Sequence, residues 1–157
     1  MQHVPSAHHG RPAASVNRLA WSATLHCLTG CSIGEVLGML VGTALAWTST
    51  QTIAISVALA FAFGYALTMR PLLKSGANFS KAAKLAFASD TASITIMEIV
   101  DNLVMFFVPG AMGASLANPL FWGSLAVSLV LAAIAAYPVN RWLIARGRGH
   151  AVVHAHH

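Results

Sequence analysis

The stretch LAFASDTASITIMEIVDNLVMFFV, residues 85–108, is long enough to cross a bilayer as a helix and yet contains Asp90, Glu98 and Asp101. A spanning helix needs about 20 mainly apolar residues. A charged side chain at the centre of such a helix costs about 2.5–3.5 kcal/mol even on lenient insertion scales, so the ionisable groups found there line a bundle interior or an ion path. The fourth acid of the chain, Glu35, lies in a second apolar run, whereas all nine Lys and Arg residues fall outside the runs. The carboxylates are therefore the expected functional site.

Composition agrees with a membrane setting. With 57% hydrophobic and 8% charged residues, the chain is too apolar for a soluble domain of its length. Apolar runs cover residues 21–47, 52–69, 85–108 and 119–137, which predicts an all-α fold, a bundle of four transmembrane helices. Residues 1–19 form a polar tail containing Pro5 and Pro12, residues 20–146 the membrane domain, and residues 147–157 a second tail. The first tail lacks the short apolar core and small-residue cleavage site of a secretory signal, so the first helix is expected to stay as an anchor. Positive charges flank the first run (Arg11, Arg18), join the second to the third (Arg70, Lys74, Lys81, Lys84) and follow the fourth (Arg141, Arg146, Arg148). The connections 48–51 and 109–118 carry none. By the positive-inside rule both termini are expected in the cytoplasm. The basic balance then reports orientation and attraction to lipid headgroups rather than nucleic-acid binding.

Local signals set the expected ends. Ser80 reads as a cap for the third helix, which stops near Pro109-Gly110, and Asn118 caps the fourth with Pro119 in its first turn. Trp21 and Trp47 bracket the first helix as interfacial anchors would. Tyr137-Pro138 reads as the close of the fourth, followed by a short interfacial segment over residues 141–146.

The first run is the densest in information. Gly30, Gly34, Gly38 and Gly42 recur at every fourth residue, a glycine zipper against which another backbone can approach closely, within the bundle or between copies in a homo-oligomer. Beside it run Cys27, Cys31 and Glu35, also at spacing four, with His26 adjacent. The plain reading is that the cysteines are small packing residues. Redox work by the dithiol is a further alternative, although a bond between residues four apart on one helix strains disulfide geometry.

The third run carries a matching polar face, because Asp90, Met97, Glu98, Asp101 and Met105 are spaced close to whole helical turns. Counted inward from Trp21 and from Lys84, Cys27 matches Asp90 in depth and Glu35 matches Glu98. Two layers are expected: His26, Cys27, Cys31 and Asp90 on the cytoplasmic side, and Glu35, Glu98 and Asp101 in mid-membrane. Acids crowded at one depth cannot all ionise without a counter-charge, and no Lys or Arg is at hand. A proton or a metal cation must supply it. Sulfur, imidazole and carboxylate together suit a zinc-like divalent ion, with copper the alternative. The plain reading is that protonated acids act as interhelical hydrogen-bond glue.

Seven of the eight histidines lie in the tails: His3, His8, His9, His150, His154, His156 and His157. Short His-bearing tracts fit metal capture, or else are incidental to a polar tail. The second and fourth runs hold no acid or base, and Ser56, Gly64, Gly123, Ser124 and Ser128 offer small packing surfaces. They read as scaffold.

Four segments carry a family resemblance: HCLTGC at 26–31, GEVLG at 34–38, IMEIVDN at 96–102 and YPVNRWLI at 137–144. Together, over about residues 20–153, the chain resembles the bacterial membrane family catalogued as domain of unknown function 4396. The resemblance implies a bacterial inner-membrane setting and no mechanism.

The expected function is therefore binding and passage of a transition-metal cation across the membrane. Glu35, Glu98 and Asp101 form the central site, and Cys27, Cys31, His26 and Asp90 the cytoplasmic-side site. The alternatives are a non-transporting anchor or assembly subunit and, third, a membrane dithiol redox protein. One in-span histidine cannot give a haem two histidine ligands. No organic cofactor is expected, and with no phosphate-binding loop or nucleophile motif in the sequence, neither is enzymatic activity.

Orientation is directly testable. A membrane-impermeant maleimide should label Ser49→Cys in intact cells and Ser75→Cys only after the cytoplasmic face is opened. The reverse pattern would overturn the charge-based orientation.

Overall fold

The computed structural model describes residues 15–146. Four helices follow one another: α1 Val16–Ala44, α2 Ser49–Lys74, α3 Phe79–Phe107 and α4 Pro119–Ala145, with a 3-10 turn at Ala111–Gly113 before the last. Among the described residues there is no strand. The seven tail histidines, and the metal capture expected of them, lie outside the described residues.

The helix ends are set by caps. Ser15 and Thr48 accept hydrogen bonds from the first turns of α1 and α2, and Gln51 accepts one in return from the Thr48 backbone N–H, completing a capping box. Asn118 caps α4 with Pro119 in the first turn, as expected. The cap of α3 differs from expectation. Asn78 rather than Ser80 fills that position, its Oδ1 accepting from the Ser80 N–H at 2.9 Å. At the other end α3 stops at Phe107, and Gly110, with φ of 82°, supplies the left-handed residue that turns the chain toward α4.

Two helices contain prolines, one of them at the position expected to end its helix. Pro71 lies inside α2 and Pro138 inside α4. A proline removes one N–H and frees one carbonyl, which neighbouring helices and side chains can satisfy in a membrane bundle. The expected interfacial segment after Pro138 is accordingly not separate. It is the last turns of α4, where Arg146 sits over the exposed Trp142 ring, 4.2 Å from its centroid.

Two four-residue connections, 45–48 and 75–78, join α1 to α2 and α2 to α3, which makes those neighbours antiparallel. The helices pack in a ring, α1 on α2, α2 on α3, α3 on α4 and α4 on α1, while α1 also meets α3 across the diagonal. Cys27, Cys31, Ala60, Ile94, Met97, Ala132 and Ala136 form the central core, with every helix contributing. One end of the bundle holds the two uncharged connections. At the other, the basic end, α1 and α4 are joined by an Arg141 to Asn17 hydrogen bond of 2.7 Å and an edge-to-face Trp21–Tyr137 contact.

Three helices, α1, α2 and α4, are long and apolar enough to cross a membrane. The third falls short because Asp90, Glu98 and Asp101 occupy one bilayer-length stretch of it. All three are buried, at 1%, 5% and 2% exposure, while Phe87, Ile99, Leu103, Phe106 and Phe107 face outward. Average hydropathy therefore undercounts the apolar surface that α3 presents to its surroundings.

The glycines of α1 face α2 of the same chain. A Cβ built on Gly30 would lie 2.7 Å from Gly64 Cα, one on Gly34 2.5 Å from Ala60 Cα, and one on Gly38 2.6 Å from Ser56 Cα. These separations are well inside the roughly 3.5–4.0 Å of normal carbon contact. The groove is thus filled within the chain and gives no surface to a second copy.

Gly34→Ala and Gly38→Ala should each destabilise the bundle by about 1–3 kcal/mol through overpacking, read as a lowered midpoint of denaturant unfolding. Gly123→Ala is the control, since a Cβ there meets nothing within 4 Å. Equal midpoints in all three variants would show that α1 and α2 do not approach through these glycines.

Candidate functional site

The buried polar residues form a track along the inside of the bundle. At the basic end, Asn140 of α4 donates from Nδ2 to Thr24 Oγ1 on α1 at 2.9 Å and to Ser93 Oγ on α3 at 3.0 Å. One amide thereby ties three helices. All three residues are buried, so each hydrogen bond replaces one that water would otherwise make.

One turn further along α1 lies Cys27, against Asp90 and Ser93 of α3. Asp90 accepts a 2.7 Å hydrogen bond on Oδ1 from its neighbour Ser89. The next turn brings Cys31, which lies against Glu98 rather than Asp90. The expected division between layers therefore shifts: Cys31 joins the central acids, and Cys27 stays with Asp90. Both cysteines are free and buried. His26 is half-buried, next to this face of α1.

Glu35, Glu98 and Asp101 meet at the centre. Glu35 lies against Glu98, with Asp101 near enough to act on it electrostatically. Asp101 accepts a hydrogen bond on Oδ1 from Ser128 of α4. Ser128, which reads as scaffold in the sequence, is instead a direct partner of the site. Glu35 Oε1 and Asp101 Oδ2 are buried with no donor in hydrogen-bond geometry, and the buried Glu98 carboxyl group has only the Cys31 thiol and the Glu35 carboxyl group against it. Asn102, adjacent to the acids in sequence, donates to the Glu98 backbone carbonyl and not to its side chain.

Beyond the central acids, toward the uncharged end, a cavity of about 300 Å³ opens above Glu35. Polar side chains of Thr43, Thr52, Ser56 and Asn102 share its wall with Met39 and Met105. From Thr24 to Thr43 is nineteen residues of α1, or about 29 Å at 1.5 Å per residue. That matches the roughly 30 Å hydrocarbon thickness of a bilayer. The track and the cavity together are about as long as a bilayer core is thick.

The acids thus divide between two arrangements. Asp90 and Asp101 each take a serine hydroxyl, while Glu35 faces Glu98, and Glu98 also faces Cys31. Among the described residues, no three His, Cys, Asp or Glu side chains are grouped so as to hold one metal ion. The donors meet in pairs along the track rather than in one coordination shell.

A family model, domain of unknown function 4396 (DUF4396), matches residues 17–149. The chain belongs to the DUF4396 family. The matched region takes in every residue of the track in this DUF4396 chain, from Thr24 to Asn140. No curated protein and no solved structure matches it.

Asn140, Thr24 and Ser128 are the site residues that sequence reading misses. The available signal is spacing: Ser128, Ala132, Ala136 and Asn140 recur at every fourth residue of α4, but a helix end at Pro138 puts Asn140 outside the bundle. Its role can be measured in a double-mutant cycle. Asn140→Ala and Ser93→Ala should show a coupling of about 0.6–1.7 kcal/mol, the range of interhelical hydrogen bonds in membrane bundles. Additive effects on unfolding would show that the amide does not join α3 to α4.

Proposed function

We propose that this membrane-associated helical protein binds a cation among its central acids and passes it along the interior of a single four-helix bundle. The observation that carries the reading is the placement of Glu35. Its carboxyl group faces Glu98 on one side and borders the open cavity on the other. A group so placed can exchange its proton or a cation with water in the cavity and hand it inward. In this reading α3 is the fourth span, its phenylalanines against lipid and its acids inside. Both termini then face the cytoplasm of a bacterial inner membrane, and the cavity opens to the outside.

The cargo we favour is a transition-metal cation. Charge balance makes the metal and proton forms exchangeable: a divalent ion entering a pair of neutral carboxylic acids releases two protons, and its remaining positions are filled by water. The paired donors, Glu35 with Glu98, Glu98 with Cys31, and Cys27 with Asp90, then serve as successive holding points rather than as one permanent shell. His26 and the tails would act at the cytoplasmic end.

A second reading has its own support. The Ser128 to Asp101 hydrogen bond, from α4 to α3, is what an acid used to hold helices together would make. On that reading the protein is an anchor or assembly subunit and moves nothing.

Glu98→Gln separates the two. The amide keeps shape and hydrogen-bonding capacity but removes the negative charge a cation needs. Under the cation reading, Glu98→Gln and Asp101→Asn should lower zinc or copper flux into proteoliposomes about tenfold or more, with folding retained. Under the glue reading both are nearly silent. Unchanged metal stoichiometry and flux in the double variant would remove the central acids from any transport path.

A further inference from the structure

The wall of the cavity above Glu35 holds half the methionines of the chain. Of six, Met39 comes from α1, Met105 from α3 and Met112 from the 3-10 turn, and all three line the same space. They also pack in one cluster with Phe121, Leu125 and Ala111. Met97 lies instead in the central core and Met69 near the α2–α3 connection. Two of the cavity methionines continue the register of the acids: Met39 is four residues beyond Glu35, and Met105 four beyond Asp101. The polar track thus continues into the cavity as thioether sulfur above carboxyl oxygen.

Methionine often fills irregular gaps in apolar cores, and simple packing would explain a cluster with no space beside it. Here there is a cavity of about 300 Å³, and the buried Oε1 of Glu35, with no donor upon it, belongs to a side chain bordering the same space. Thioethers are neutral, soft donors that need no deprotonation, and they select monovalent copper over harder ions. A carboxylate beneath them supplies the single negative charge that a monovalent ion requires.

We propose that this cavity is a receiving site for a soft monovalent cation, copper(I) or its analogue silver(I), held by the sulfurs of Met39, Met105 and Met112 above the Glu35 carboxylate. The ion enters without change of oxidation state. The proton of the Glu35 carboxylic acid leaves to cavity water as the ion binds, so net charge is conserved. The inference deepens the cation reading by choosing the ion and the end at which it loads, and it rests on that reading only for the ion's later passage inward.

The test uses the full chain in lipid nanodiscs, with methionine methyl groups labelled with carbon-13, titrated with silver nitrate in chloride-free buffer. The methyl resonances of Met39, Met105 and Met112 should shift together and saturate together, while those of Met69 and Met97 stay in place. Met39→Leu, Met105→Leu and Met112→Leu keep much of the volume and should each weaken silver binding about tenfold or more, with zinc binding unaltered. Single variants keep the test valid if the triple variant fails to fold. Unmoved methyl groups would overturn the proposal. So would silver binding that survives every Met→Leu change and disappears in Cys27→Ser, Cys31→Ser, since the ion would then sit on the thiols. Proteoliposome flux keeps the two readings apart. Methyl shifts without flux of any cation leave the loading site standing and remove translocation. Zinc flux without methyl shifts does the reverse.

Discussion

Acids inside an apolar bundle with no Lys or Arg in the same runs constrain this protein more than any other feature. Each carboxyl group must take a hydrogen bond, share a proton or hold a cation, because an isolated negative charge in such surroundings is too costly to keep. The bundle is arranged around that requirement. The acids of α3 point inward, Ser128 of α4 comes up to Asp101, and the thiols of α1 fill the space between. The outer faces are left to phenylalanine, leucine and isoleucine.

The close approach of α1 and α2 makes the arrangement possible. With only hydrogen at Gly30, Gly34 and Gly38, α1 sits against the backbone of α2 and is held at fixed depth and rotation. The face carrying Cys27, Cys31 and Glu35 is thereby turned to the diagonal, where α3 waits with Asp90, Glu98 and Asp101. A side chain in the groove would push α1 outward and separate Glu35 from Glu98. Glycine spacing and acid spacing on one helix are two aspects of a single placement. The Asn140 bridge does similar work at the basic end, since it fixes α1, α3 and α4 together where the glycine groove begins.

A chemical gradient runs along the interior. The basic end is amide and hydroxyl, the next turns thiol and carboxyl, the centre carboxyl, and the open end thioether and hydroxyl about a cavity. Hard and soft donors alternate over the thickness of one bilayer. Among the described residues, no point along it gathers three His, Cys, Asp or Glu side chains as a structural metal site would.

The sequence by itself determined the helical class, the four helices, the inward face of α3 and the pairing in depth of Glu35 with Glu98. Each of these comes from local pattern: apolar runs of bilayer length, a period near 3.6, and the high cost of an acid in lipid. It also marked the glycine face, but not what fills it. Only the tertiary structure decided that α2 of the same chain occupies that groove, that Cys31 belongs with Glu98, and that Ser128 and Asn140 join the track. The same holds for Met39, Met105 and Met112, which share one cavity from three separate elements. The physical reason is the same in each case. A helix fixes which residues share a face, but the rotation and depth at which two faces meet depend on side-chain volumes summed across four helices. Pro138 shows the limit locally: its missing N–H reads as a helix end in the sequence, while the continued α4 carries Asn140 into the bundle, where it bonds Thr24 and Ser93.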